Sequence, residues 1–360
     1  MMRMHELGPR ILVIRRDNIG DLACTIPLIR ALRGQLPRAY LAALVTRYNA
    51  AVLARSPDLD VLYSYTKAKH RDRGDSIVQL YLRRLKLMSE MRSQRYDWVL
   101  LPGGAQASSM RMARWLRAGR VLMRDEQDAV AGAHEVEQCC HLLPRMGLRY
   151  ETPPARLAAD PAEEAPIAQR MRSTWGMHTP GAVIGLHVSA RKPAQRWPAE
   201  RFAELARRLC ERPAARLLLL WAPGRSDDRR HPGDDDKADA ICAAAPHLPM
   251  LRVRTERLEE LIAALAQCDR VICSDGGAMH LAAALGKPIV CLFGNSASER
   301  WHPWRARYEL LQPASRDVSD VSTDQVIAAL ERLTLRAAAE AGAKAGTAPV
   351  PGTQPSSSVS

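Results

Sequence analysis

Three observations predict an α/β protein built from two doubly wound parallel-sheet domains. Strand-length apolar runs alternate with stretches of helical period from residue 10 onward, as βαβ units require. The alternation breaks over 151–181, where "ETPPARLAADPAEEAP" is rich in proline, alanine and acid, and then restarts. At 360 residues, the chain is long enough for two cores of ordinary size.

In the first half, "RILVIR" (10–15) is a strand, and apolar positions then recur at helical spacing from Asp21 to Leu36. "YLAALV" (40–45) is a second strand, a short helix follows near Ala50, and "DVLYSY" (60–65) is a third strand. A basic loop over 66–75, with Lys67, Lys69, Arg71 and Arg73, leads into a long helix ending near Ser93. "YDWVLLPG" (96–103), a helix through Trp115 and "RVLMR" (120–124) complete an N-terminal domain over 1–150. After a linker over 151–181, a second domain over 182–322 holds "AVIGLHVS" (182–189), "ARLLLLWAP" (215–223), "PMLRV" (249–253), "RVICSD" (270–275) and "PIVCLFG" (288–294), with helices between them. A final helix is expected over 323–339, and residues 340–360 are low-complexity and expected to be disordered. Two such halves leave a ligand crevice outside the carboxyl ends of their strands.

Composition narrows the partners. The net charge of +13 suits a phosphorylated small molecule or an anionic membrane surface. Aromatics make up only 5%, too few for stacking on nucleic-acid bases, and no nucleic-acid-binding pattern is present. No apolar run is long enough to span a bilayer, and "MMRMHELGPR" lacks the apolar core of a signal peptide, so a cytoplasmic location is expected. Eight cysteines form no CxxC pair and several sit in apolar runs, which reads as buried reduced thiols.

Three strand-to-helix loops carry residues suited to chemistry. In "VICSDGGAMHLAAALGKPIVCLFG", Asp275 ends a strand, Gly276 and Gly277 let a ligand approach the backbone, and the next helix offers free N–H groups to a phosphate. His280 lies one turn further on; a tight turn with a capping acid is the plainer reading of the same residues. "HVSARKPAQRWPAERF" places Ser189, Lys192 and Arg196 before a helix start, a cationic loop suited to a diphosphate or simply a solvated turn. "RRDNIGDL" sets Arg16, Asn18, Gly20 and Asp21 at the end of the first strand, and Asp21 fits either a helix N-cap or a catalytic carboxylate. The acids of "GDDDK" read as a helix start and not as a metal site. His134, His178, His231 and His302 have no ligand spacing. A dinucleotide-dependent oxidoreductase would need GxGxxG after the first strand and an acid after the second; "RRDNIGD" and "LVTRYN" supply neither.

Taken in order, "ILVIRRDNIGDLACTIPLIRAL", "HVSARKPAQRWP", "SDGGAMHLAAALGKPIVCLFG" and "ERWHPW" resemble the heptosyltransferases of glycosyltransferase family 9 across most of residues 10–310. The resemblance implies a GT-B architecture, two Rossmann-like domains facing an interdomain cleft, and inverting transfer of heptose from ADP-heptose, or of a related sugar from another nucleotide sugar, to a lipopolysaccharide inner-core or similar acceptor. It implies Asp21 as general base, and Ser189, Lys192, Arg196, Asp275, Gly276, Gly277 and His280 as donor-binding residues. Arg16, Asn18 and Gly20 would shape the acceptor side. No cofactor or metal is expected, and peripheral contact with the cytoplasmic membrane face suits a lipid-anchored acceptor. In one departure, Gln195 stands where the family places a lysine, which leaves Lys192 or Arg196 to supply the charge. A nucleotide-sugar binder without catalysis is the alternative, and Asp21 counts against it.

Overall fold

Parallel strands form both sheets of the computed structural model, which describes residues 8–67, 76–124, 132–176, 181–211, 215–228 and 232–346. The first sheet comprises β1 (Arg10–Ile14), β2 (Tyr40–Thr46), β3 (Val61–Tyr65), β4 (Trp98–Leu101) and β5 (Arg120–Met123), in the order β3-β2-β1-β4-β5. The second comprises β6 (Val183–His187), β7 (Arg216–Trp221), β8 (Met250–Arg254), β9 (Arg270–Ser274), β10 (Ile289–Leu292) and β11 (Tyr308–Leu311), in the order β11-β10-β9-β6-β7-β8. Each sheet reverses its winding beside its first strand, between β1 and β4 and between β6 and β9. A ligand crevice opens at such switch points, and the loops bearing Asp21, Ser189 and Asp275 leave the sheets there.

The strands are short and apolar on both faces because helices cover both. Ile11 and Val13 of β1 join one apolar cluster, while Leu12 and Ile14 join another on the opposite face. That period of two fixes where the next two residues, Arg15 and Arg16, point. The cluster containing Ile11 is continuous with that of the second domain, so the two domains share one apolar contact.

The N-terminal helices are α1 (Ile19–Ala23), α2 (Ile26–Gln35), α3 (Ile77–Ser93), α4 (Ala107–Leu116) and α5 (Glu135–Cys140). The single helix expected from Asp21 to Leu36 is thus two. Pro27, in the first turn of α2, has no N–H to continue the ladder, and the Thr25 hydroxyl donates to the Asp21 carbonyl across the break (2.9 Å).

The linker expectation needs a larger correction, since α6 (Pro161–Trp175) occupies half of it. Asp160 caps α6 by accepting from Ala162 N, Pro161 takes the first position, and Glu163 and Glu164 complement the dipole. The helix belongs to the second domain, whose remaining helices are α7 (Ala199–Cys210), α8 (Asp235–Ala244), α9 (Leu258–Ala266), α10 (Gly277–Ala284), α11 (Ser298–Trp301) and α12 (Thr323–Gly346). Glu163 pairs with Arg257 at 2.7 Å, and Trp175 Nε1 donates to Pro249 O at 2.9 Å.

α12 runs to Gly346, past the expected end at 339, because "RAAAEAGAKA" is rich in the residue of highest helix propensity. Lys69, Arg71, Arg73, His178, His231 and residues 347–360 lie outside the described residues. All eight cysteines are free thiols.

Trp197 anchors the second domain. It is fully buried, meets Phe202 edge-on (centroids 4.7 Å apart), and donates from Nε1 to Val321 O at 2.9 Å. Trp197→Ala therefore leaves both a cavity and an orphaned carbonyl, and is expected to cost about 3–5 kcal/mol. Urea denaturation measures this, and an unchanged midpoint would refute the anchoring role.

Candidate active site

Alternation along β1 separates the two arginines that follow it. Arg16 continues the Leu12/Ile14 face and turns beneath the sheet, with Nη1 3.5 Å from Met112 Sδ and Nη2 donating to Ser108 Oγ. It stays out of the cleft, contrary to its expected acceptor-side place. Arg15 continues the other face. Its Nη2 donates to Asp21 Oδ1 (2.7 Å) and Glu135 Oε1 (2.9 Å), and Nε lies 3.0 Å from Asp17 Oδ2.

Asp21 is not the N-cap. Asn18 holds that position, and Asp21, three residues on, reaches back to accept from Asn18 N (3.3 Å) and Asn18 Nδ2 (2.9 Å). Burial works against the Asp21 charge, but the Arg15 guanidinium and the Asn18 hydrogen bonds outweigh it and hold its pKa below the ordinary value. The carboxylate is ionised and fixed in orientation.

The preceding glycine answers to space. A Cβ on Gly20 would lie 2.6 Å from His280 Cδ2, and one on Gly277 would lie 3.2 Å from Ile19. α1 and α10 thus touch across the domain boundary, with Gly20 packed against the His280 ring and Gly277 beneath Ile19.

On the second domain, Asp275 follows β9 and accepts from Gln195 Nε2 at 2.7 Å; the same amide donates to Ser296 Oγ at 2.9 Å. His280 is buried one turn into α10, with Nδ1 3.6 Å from Cys24 Sγ. Burial lowers its pKa despite the nearby Asp275 and Asp21 charges, so the imidazole is neutral at pH 7. Arg196 does not reach the cleft: it donates to Ala190 O (2.8 Å) and pairs with the buried Asp234 of "GDDDK". The cations that line the cleft here are Lys192 and Arg191. Ser189 also lines it, while its Oγ accepts from Ala222 N (2.9 Å).

Two cavities adjoin at Asp21. One, of about 640 Å³, is walled by Ser189, Lys192, Gln195, Asp275, Gly277 and His280 of the second domain. The other, of about 800 Å³, is walled by Arg15, Asp17, Lys67, Arg124, Glu135 and Arg300. Asn18, Asp21, Tyr48 and Arg191 line both. Among the described residues, no cluster of side chains suited to a metal ion is present.

Glu135, which the sequence reading did not single out, organises the second cavity. It is 1% exposed; Oε1 accepts from Arg15 and Arg124 (both 2.9 Å), and Oε2 from Arg300 Nη2 (2.7 Å) and Nε (3.1 Å). Burial opposes its charge, yet Arg15 and Arg124 hold its pKa below the ordinary carboxylate value. Arg300 comes from the other domain, so the pair spans the boundary. Beside it, His134 Nδ1 accepts from Val136 N (3.1 Å), which leaves Nε2 to donate to His302 O of the second domain (2.8 Å). Burial pushes the His134 pKa down to about 3.

Residues 84–326 match the family model for glycosyltransferase family 9 (heptosyltransferase). The chain belongs to this family. The lipopolysaccharide heptosyltransferase 2 of Salmonella typhimurium is 24% identical to this glycosyltransferase over 321 residues, covering 81% of this chain and 84% of that one. Among solved structures, a family 9 glycosyl transferase of Veillonella parvula superposes with a TM-score of 0.77 at 21% identity, covering 91% of this chain and 97% of that one. ADP-heptose LPS heptosyltransferase II of E. coli gives a TM-score of 0.70 at 21% identity, covering 91% and 99%. The architecture is GT-B, as the resemblance implied.

Two outcomes follow for this glycosyltransferase. Glu135→Gln removes the charge facing Arg15, although Asp21 and Asp17 still face it. The expected loss is about 2–3 kcal/mol, below the roughly 3–5 kcal/mol of a fully orphaned buried charge, and a wild-type urea midpoint would refute it. Acid acts in part through His134, whose folded pKa of about 3 lies below its ordinary 6.5, while buried His187, lowered to about 4, adds to the effect. The unfolded chain binds the proton first, so this contribution is complete above about pH 6.5 and is lost as pH falls toward 3. His134→Asn, which keeps an N-cap acceptor, should flatten the pH dependence of the urea midpoint between pH 6.5 and 4; an unchanged slope would assign the acid sensitivity elsewhere.

Proposed function

We propose that this glycosyltransferase moves a heptose from ADP-heptose, or a related sugar from another nucleotide sugar, to a lipopolysaccharide inner-core or similar glycan acceptor, with inversion at the anomeric carbon. The carrying observation is that Asp21 stands on the wall common to two cavities, one of donor character and one lined by cations. The names of the relatives support heptose and lipopolysaccharide as the substrate classes.

An inverting displacement needs a base that takes the acceptor proton while the hydroxyl attacks opposite the leaving diphosphate. A carboxylate offers about four acceptor positions. At Asp21, Arg15 and Asn18 fill one on Oδ1 and two on Oδ2, so a remaining lone pair on Oδ1 serves the acceptor hydroxyl. The low pKa makes Asp21 a weak base that is always ready; it receives the proton only as the new bond forms and the hydroxyl becomes acidic. On the donor side, the backbone N–H groups that open α10, with Lys192 and Arg191, meet the negative charge gathering on the diphosphate. Protein cations supply the countercharge in this reading, without a cofactor or metal. Asp275, oriented by Gln195, accepts from donor hydroxyls, and neutral His280 serves as a hydrogen-bonding partner in the same wall. Among the described residues, no helix is long and apolar enough to cross a membrane; we place the enzyme in the cytoplasm, in peripheral contact with an anionic membrane that carries the acceptor.

Asp21→Asn is expected to lower the transfer rate by about 10²–10⁴-fold while calorimetric affinity for ADP-heptose stays within a few-fold of wild type. Near-normal turnover would remove Asp21 as base. Asp275→Ala should weaken ADP-heptose binding, and unchanged affinity would move the donor elsewhere. A calorimetric screen that ranked a UDP- or GDP-sugar above ADP-heptose would overturn the donor assignment alone.

A further inference from the structure

We infer that the N-terminal half of α3 is a membrane-docking element that seats its outer face in the headgroup layer of an anionic bilayer. Val78, Tyr81, Leu82 and Leu85 recur at i, i+3, i+4 and i+7, which places them on one side of the helix. They are 66%, 53%, 59% and 61% exposed. A helix of a water-soluble domain normally turns such a stripe inward. α3 does so only further along, where Leu87, Met88 and Met91 pack into the cluster of Leu12 and Ile14. The outward stripe is therefore a second apolar face on the same helix, unpartnered among the described residues.

The charges beside it name the occupant. Lys86 borders the stripe on one side of the helix and Arg84 on the other; with Arg83 and Arg47 they also line a recess of about 410 Å³ on the adjoining face, in which Glu90 is the one carboxylate among the described lining residues. Apolar side chains flanked by arginine and lysine suit lipid headgroups with phosphates above and acyl chains below. A second copy of the chain packed stripe to stripe would bring the same cations against one another, which disfavours self-association.

The placement deepens the membrane contact proposed above and rests on it. Thr66 lines the recess, and the next residue, Lys67, lines the cavity of Arg15 and Glu135. Tyr65 carries Arg84 over its ring at 5.1 Å and Arg16 at 5.7 Å. A bilayer seated on α3 thus lies next to the cavity that would receive a lipid-anchored acceptor.

Co-sedimentation of the full chain with phosphatidylethanolamine/phosphatidylglycerol vesicles, against neutral phosphatidylcholine vesicles, tests this. Wild type is expected to bind the anionic vesicles, less so as salt rises. Leu82→Gln/Leu85→Gln and Arg83→Glu/Lys86→Glu should each lower the partition coefficient by about tenfold or more. Both pairs are on the surface, so circular dichroism and transfer to a de-acylated core oligosaccharide should match wild type. Wild-type binding by both variants would overturn the α3 surface while leaving membrane contact intact. No binding by wild type would overturn both, while transfer to the soluble oligosaccharide would leave the sugar-transfer reading standing. A wild-type dimer that Leu82→Gln/Leu85→Gln dissolves would assign the stripe to self-association and overturn the proposal.

Discussion

A buried carboxylate that faces three guanidinium groups fixes the rest of this site. Glu135 holds Arg15 from the end of β1, Arg124 from beyond β5 and Arg300 from the second domain. A buried ion pair adds little net stability over apolar packing of the same volume; what this one determines is direction. Arg15, with one edge on Glu135, presents the same Nη2 to Asp21, so the Asp21 carboxylate inherits its orientation from a residue on another helix. Arg300, drawn to the other oxygen, brings the 298–305 segment against the N-terminal domain, where His302 meets His134, and against the stretch that follows that domain, where Trp304 Nε1 donates to Pro153 O (3.3 Å). Domain alignment and the aim of Asp21 are therefore set by the same group.

The arrangement has a chemical cost. A guanidinium next to Asp21 keeps it ionised, and by the same attraction reduces its appetite for a proton. That compromise suits a step in which the proton leaves late, and it is incompatible with one that demands prior deprotonation of an alcohol. The opposite wall shows a complementary economy of charge: Gln195, buried against Asp275, meets that carboxylate with a neutral amide, and among the described residues no side-chain cation lies at hydrogen-bond distance from it. Lys192 and Arg191 remain in the cleft wall.

Much of this was legible beforehand because it depends on local pattern. The alternation of strand and helix fixed the fold class, and Asp21, Asp275 and His280 follow strand ends where a doubly wound sheet opens. What escaped depends on register or on distant partners. Arg15 and Arg16 are adjacent and chemically identical; which one faces the cleft follows from the face that Ile11 and Val13 occupy in β1. Glu135 lies 120 residues from Arg15 and 165 from Arg300, so no window of sequence contains the cluster. A local trace did exist, since His134 and Glu137 form a capping box that marks the start of α5, but six residues are too few for a periodic signal. Arg196 was misplaced for the same reason: its partner, Asp234, sits in a stretch that reads as an ordinary helix start. α6 was hidden by its own proline and alanine, which a linker shares.

The contact between α1 and α10 has a mechanical consequence. With Gly20 against the His280 ring and Gly277 beneath Ile19, each helix seats one side chain over the other's glycine, and the two backbones approach closely there. The touching point lies beside Asp21 and at the head of α10, so a larger side chain at Gly20 would wedge the two domains apart where Asp21 stands.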